Sequence, residues 1–154
     1  MKDDPRTSEI AAPIMALDLG KKRVGVAITD ALRISISRLP PLKRSSWKHL
    51  LNEVSILTRR FDAQTLVIGL PLNMDGSSSS AASEAERTAR NFARSLGIPV
   101  FLQDERLSSH EAESNLRAEG YGPAEIPGFV DSEAAAIILR DFLRVDQARL
   151  PIIL

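Results

Sequence analysis

The chain contains no cysteine, which excludes disulfides, thiolate metal sites and a cysteine nucleophile and fits a reducing, cytoplasmic setting. It also lacks net charge, because 20 Lys and Arg balance 20 Asp and Glu. A protein so balanced is no general polyanion binder, and any nucleic-acid contact has to come from local basic patches. Long hydrophobic runs are missing as well. Met1 to Ala12 is polar and mixed in sign, with no apolar core of signal-peptide length, and no later run approaches a membrane span. A flexible arm over residues 1–12 and no membrane partner are the expectation.

What remains is ordinary globular material. Of the 154 residues, 44% are hydrophobic and 26% charged, enough for one core. We expect one domain over residues 13–146 and a short tail over 147–154. The tail ends in the apolar string Leu150-Pro151-Ile152-Ile153-Leu154, which packs on the domain or on a partner and leaves monomer and homodimer both open.

The pattern of elements is readable. Ile14 to Leu19 and Val24 to Thr29 are β-rich runs around the turn Gly20-Lys21-Lys22-Arg23 and predict a hairpin. Leu32 to Leu39 alternates apolar and polar and predicts a third strand stopped by Pro40-Pro41. Trp47, Leu50, Leu51, Val54 and Leu57 then fall at helical spacing, with Arg59 and Arg60 in the last turn. Leu66 to Leu70 resembles a buried parallel strand, followed by the loop Pro71 to Gly76 and a helix from about Ala81 to Leu96 closed by Gly97. Ile98 to Gln103 predicts a strand. Ser108 with Glu111 forms a capping box opening a helix that ends near Gly120, and Asp131 opens a last helix to about Val145. Three strands, then helix, strand, helix, strand, helix, helix, suit an α/β fold with one mixed five-stranded sheet and flanking helices.

Acidic residues interrupt this pattern. Asp18 sits inside an apolar strand, where an ionised carboxylate is costly unless it is paired or holds a cation. Asp104-Glu105 follow another apolar strand, and Asp131 heads the last helix. If strands one and five lie close in the sheet, Asp18, Glu105 and Asp131 converge. Oxygen ligands without His or Cys suit a hard cation, Mg2+ or Mn2+. Two such ions roughly 3.5–4 Å apart activate a water and stabilise the leaving oxygen in phosphodiester hydrolysis. Each residue also has a simpler explanation. Asp18 can pair with Lys22 or Arg23, Glu105 can be a surface residue beside Arg106, and Asp131 can be an N-cap. Singly, the simpler explanation is preferred for Asp131, evenly balanced for Glu105 and rejected for Asp18.

Four strings, Leu17-Asp18-Leu19-Gly20-Lys21-Lys22-Arg23-Val24-Gly25-Val26-Ala27, Gly69 to Ser77, Asp104-Glu105-Arg106-Leu107-Ser108 and Asp131-Ser132-Glu133-Ala134-Ala135, taken in order, resemble the YqgF family, also called RuvX. The resemblance runs from about Ile14 to Leu143. It implies an RNase H-like fold of RuvC type, with Asp18, Glu105 and Asp131 as metal-binding catalytic carboxylates. It also implies a nuclease that matures the 16S rRNA precursor in ribosome biogenesis, in contact with ribosomal particles, or one that resolves Holliday junctions in branched DNA.

Other residues are substrate-binding candidates. Lys22 and Arg23 are placed to contact a phosphate or form a solvated basic turn. Asn73 and Asp75 orient substrate or build their turn, with turn-building first. Arg106 steadies Glu105 or touches a phosphate. Arg87, Arg90 and Arg94 make a stripe best read as a solvated face, and His49 and His110 receive no role. One departure stands out: Tyr121 to Val130 holds no Lys or Arg, where family members often carry several. Two further readings are a nucleotide phosphohydrolase or kinase, which a single domain of this length disfavours, and a non-catalytic RNA-binding assembly module.

Overall fold

The computed structural model describes residues 10–73, 75, 77, 79–105 and 108–144, without the side chains of 108–110, 127 and 128. Its elements follow the expected order: β1 (Ile14–Leu19), β2 (Arg23–Thr29), β3 (Ile36–Lys43), α1 (Trp47–Arg60), β4 (Thr65–Leu70), α2 (Ser80–Leu96), β5 (Val100–Asp104), α3 (Ser108–Ala118) and α4 (Ile126–Arg144). The five strands form one sheet in the order β3-β2-β1-β4-β5. β1 pairs antiparallel with β2 and parallel with β4, and β4 pairs parallel with β5. The expected mixed sheet of an RNase H-like fold is what is found.

Strand alternation divides the core in two. Met15, Leu17, Val26, Leu66, Ile68 and Val100 face one way and pack with Leu50 and Val54 of α1 and Ala85, Ala89 and Phe92 of α2. Ile14, Ala16, Ala27, Val67 and Phe101 face the other way, against Ala135, Ile138, Leu139 and Phe142 of α4. The residues β1 and β2 turn to α4 include the small Ala16 and Ala27, so that helix seats close to the sheet. Asp18 continues the Ile14, Ala16 series and points to the α4 side.

Two boundaries differ from expectation. The third strand does not start at Leu32. Asp30 closes a turn there, its Oδ1 accepting from Ile34 N at 2.7 Å and Ser35 N at 3.2 Å, with Arg33 at φ 59°. Leu32 and Ile34 are left 76% and 79% exposed, so their alternation reflects no buried face. Nor do Pro40 and Pro41 stop β3. It is an edge strand, where a missing N–H is tolerated, and the register shifts between Val24 and Val26, so both prolines oppose Gly25 in a bulge. The last helix begins at Ile126 rather than Asp131, so Asp131 lies within α4 and is not its N-cap.

The remaining helix ends are as their sequences suggest. Ser46 and Ser79 cap α1 and α2, accepting from His49 N and Ala82 N. Gly97 ends α2 at φ 70°. Among the described residues no helix is long and apolar enough to cross a membrane. Most of the N-terminal arm, the tail over 147–154, Arg106 and the proposed Ser108 cap lie outside what is described.

Candidate active site

The site is built at the carboxyl end of β1. Strands one and five are not neighbours, since β4 lies between them, yet Asp18 and Glu105 meet. Asp18 is flanked in register by Gly25 of β2. Its neighbour on the β4 side is Gly69, which follows Ile68, the partner of Leu17. Both glycines leave a hole on the α4 face, and each hole is filled. A Cβ on Gly69 would stand 2.4 Å from Glu105 Oε2, so the glutamate lies flat across β4 in the space a side chain would take. A Cβ on Gly25 would stand 1.8 Å from the backbone oxygen of Asp131, so the helix itself rests on β2 there. Glycine is required at both positions by close approach rather than by dihedral angle.

Glu105, lying over Gly69, comes close enough to Asp18 for their side chains to interact. Burial raises Asp18 above its ordinary value of 3.8, the approach of Glu105 opposes that rise, and the negative charge of Asp131 adds to it. Excess negative charge concentrated in a partly buried place is the electrostatic condition for cation binding, and the donor set is carboxylate oxygen throughout.

Asp131 completes this set only in part. Its Oδ2 lies 2.8 Å from Arg23 Nε, with side-chain exposures of 20% and 50%. Arg23 therefore pairs with Asp131, not with Asp18. Among the described residues no three acidic or histidine side chains converge on one point as a metal's ligands would. Two of the three carboxylates are in contact, and the third is near enough to be felt but is turned to an arginine.

Of the other candidates, Lys22 is exposed on the hairpin turn, where its backbone oxygen accepts from Arg44 N at 2.9 Å. Asn73 donates from Nδ2 to Ser77 Oγ at 3.0 Å, and Asp75 Oδ1 accepts from Ser77 N at 2.8 Å and Ser77 Oγ at 2.6 Å. Both residues build the turn after β4, as preferred from sequence. His49 meets Glu53 on the surface of α1, and Arg87, Arg90 and Arg94 are exposed along α2.

Sequence reasoning overlooked Gly69 and Glu133. Glu133 is 1% exposed and accepts from Arg38 Nη1 at 3.0 Å, Asn115 Nδ2 at 3.2 Å and Arg140 Nη1 at 3.3 Å. It ties β3 and α3 to α4 two residues beyond Asp131. The signal was the same as for Asp18: an acid beside an apolar run, Ala134 to Leu139.

Comparison with known proteins accords with this geometry. The family model RuvX, described as a Holliday junction resolvase, matches residues 12–145. A protein of an Anaeromyxobacter species, strain Fw109-5, named "Putative pre-16S rRNA nuclease", is 42% identical over 129 residues, covering 84% of this chain and 94% of its own. A namesake from Syntrophus aciditrophicus is 37% identical over 139 residues, covering 90% and 93%. Among solved structures, Thermus thermophilus RuvC superposes with a TM-score of 0.56 at 14% identity, covering 90% of this chain and 99% of that one. Fowlpox virus resolvase, solved with Holliday junction DNA, gives 0.51 at 13%, covering 86% and 99%. At such identities the structures speak to fold alone, and the fold is the RuvC-type RNase H-like one. Sequence match along nearly the whole chain, sheet order and the carboxylate pair together make this protein a member of the RuvX family.

Proposed function

We propose that this protein is a metal-dependent nuclease that hydrolyses a phosphodiester in the 16S rRNA precursor during ribosome biogenesis in the cytoplasm. The observation that carries the reading is the approach of Glu105 to Asp18 across Gly69, with the negative charge of Asp131 near enough to act on Asp18. Asp18, Glu105 and Asp131 are the residues that would hold Mg2+ or Mn2+. When bound, one or two such ions supply an activated water and neutralise charge on the leaving oxygen.

The chain's own residues have distinct tasks in this reading. Asp18 and Glu105 would supply carboxylate oxygens to the cation, and Gly69 keeps Glu105 in place beside Asp18. Lys22 and Arg23 on the hairpin turn meet phosphate oxygens and fix the register of the strand. Asn73 acts from the loop beyond β4, and Arg106 is assigned to phosphate beside Glu105. The names of the relatives favour rRNA as substrate, and the family description supports branched DNA as the second reading.

The test is cleavage of a labelled small-subunit rRNA precursor and of a four-way DNA junction, with Mg2+ or Mn2+, by wild type and Asp18→Asn. Precursor cleavage that needs both metal and Asp18 is expected. Turnover retained in Asp18→Asn would reject the site. Junction cleavage alone would transfer the assignment to DNA, and RNA binding with no cleavage would favour an assembly module.

A further inference from the structure

The balanced charge conceals a polarity. From Gly20 to Arg60 the sequence carries ten Lys and Arg and only two acids, Asp30 and Glu53, whereas Phe101 to Arg144 carries nine acids and four arginines. The fold puts the first stretch on β2, β3 and α1 and the second on α3 and α4. The basic stretch reaches the site directly through Arg23, paired with Asp131, and is joined to the hairpin turn by a second arginine. Arg44, just beyond β3, donates to Gly20 O at 2.8 Å and pairs with Glu84 of α2, which binds the hairpin turn next to Asp18 to the mouth between α1 and α2.

At that mouth lies a groove of about 250 Å³ lined by residues that include Arg44, Ser46, Trp47, Glu84, Arg87 and Asn91, in which Glu84 matches the charge of Arg44 and Arg87 forms no ion pair among the described residues. Lys43 and Lys48 are exposed next to its lining in sequence, and Lys21 and Lys22 are exposed on the turn. None of these four lysines forms an ion pair among the described residues. Trp47 packs edge-on against the buried Phe92 at 4.8 Å and is 37% exposed. A cationic groove with a part-exposed, firmly seated indole is what an unpaired nucleic-acid strand recognises: phosphates meet the cations and a base stacks on the ring. A duplex offers no free base face to the ring.

We propose that a single-stranded segment of the substrate crosses the β1–β2 turn from the carboxylates and lies in this groove against Trp47. The location rests on the nuclease reading of the carboxylate site, but the groove binds the strand whether or not cleavage occurs. The loop at 121–130, which holds no Lys or Arg, leads into α4 on the other face of the sheet from α1 and α2.

Trp47 is the only tryptophan, so its fluorescence reports on the groove directly. The experiment titrates wild type with a twelve-nucleotide single-stranded RNA, the same sequence in DNA, and the RNA duplex, in EDTA to prevent cleavage, following tryptophan emission and the anisotropy of a label on the oligonucleotide. Saturable quenching by the single strands, weaker for duplex, is expected, and the RNA and DNA arms show whether the groove distinguishes the sugar. Lys43→Glu, Lys48→Glu and Arg87→Glu should each weaken single-strand binding several-fold and lower the slope of log affinity against log salt by about 0.7 per lost phosphate contact. Arg59→Glu with Arg60→Glu, a larger charge change at the far end of α1, should leave the quenching intact. Binding seen by anisotropy without quenching, equal response to duplex, equal weakening by the Arg59 and Arg60 changes, or no binding would each overturn the groove. Quenching in a protein that cleaves nothing would retain the groove and reject the nuclease.

Discussion

Glu105 occupies the space that Gly69 leaves empty: its carboxylate stands where the side chain of any other residue at 69 would begin, 2.4 Å from the Cβ position. An acid that follows β5 therefore crosses β4 to reach an acid on β1. The contact depends on a residue that bears no functional group.

Gly69→Ala should damage the site more than the fold. The added methyl meets Glu105, which can move, and Ile138 Cδ1 at 2.7 Å, which is buried. Overpacking of this kind costs about 1–3 kcal/mol. Displacing a carboxylate by an ångström in a metal-dependent site costs roughly 100-fold in turnover. Urea unfolding and precursor cleavage, measured side by side, check the separation; a variant with wild-type turnover would show that Glu105 need not lie over residue 69.

Asp18 predicts a pH effect of definite sign. Its folded value is raised above the ordinary 3.8, chiefly by burial, so the folded state holds the proton more tightly than the unfolded one. Stability from this group is complete below 3.8 and is lost as pH rises through the raised value. Asp18→Asn should therefore melt higher than wild type at neutral pH without divalent metal, and the two should converge in acid. Added Mn2+ should raise the melting temperature of wild type and not of the variant. Equal melting of the two proteins at pH 7 would contradict the burial cost.

With Asp131 as a cation ligand, as proposed, Arg23 and the cation would compete for it. The pair is half open to solvent, at 50% and 20% exposure, and such pairs contribute roughly 0.2–1 kcal/mol. Arg23→Gln should accordingly tighten Mn2+ binding by up to about fivefold, as read by electron paramagnetic resonance, while weakening capture of substrate. Looser Mn2+ binding in the variant would mean that Arg23 instead holds Asp131 in its ligating position.

Glu133→Ala should be costly to the fold. It leaves Arg38, Asn115 and Arg140 without the buried acceptor they share. Breaking a buried pair costs about 3–5 kcal/mol, and the partial exposure of both arginines reduces this to about 2–3. Thermal denaturation measures the loss, and turnover per folded molecule should stay near wild type. Unchanged stability would remove Glu133 as a fastener of α4.

Much of this was legible in the chain. Helix α1 is set out by Trp47, Leu50, Val54 and Leu57 and ends on the expected Arg60, because an amphipathic period depends only on near neighbours. The hairpin around Asp18 was readable for the same reason. The β3 boundaries were not: Pro40 and Pro41 end a strand only if it lies inside a sheet, and sequence does not say which strand is the edge. The way Asp18 meets Glu105 was also out of reach. The sequence asked only that strands one and five lie close in the sheet; that one strand separates them and that a glycine in it lets Glu105 across was not readable. Asp131 looked like a helix start because the turns before it, Ile126 to Val130, carry Pro127 and Gly128.

The paired prolines of β3 have a consequence beyond register. An outermost strand commonly invites a second sheet to add to it, and charged residues, lysine above all, serve as a barrier against that. Here two successive residues without an amide hydrogen, set in a bulge, already spoil the template. Lys43, at the end of the same strand, is thereby released from guard duty against aggregation. Its charge is available for a ligand at the one border of the sheet where another chain cannot dock by its backbone.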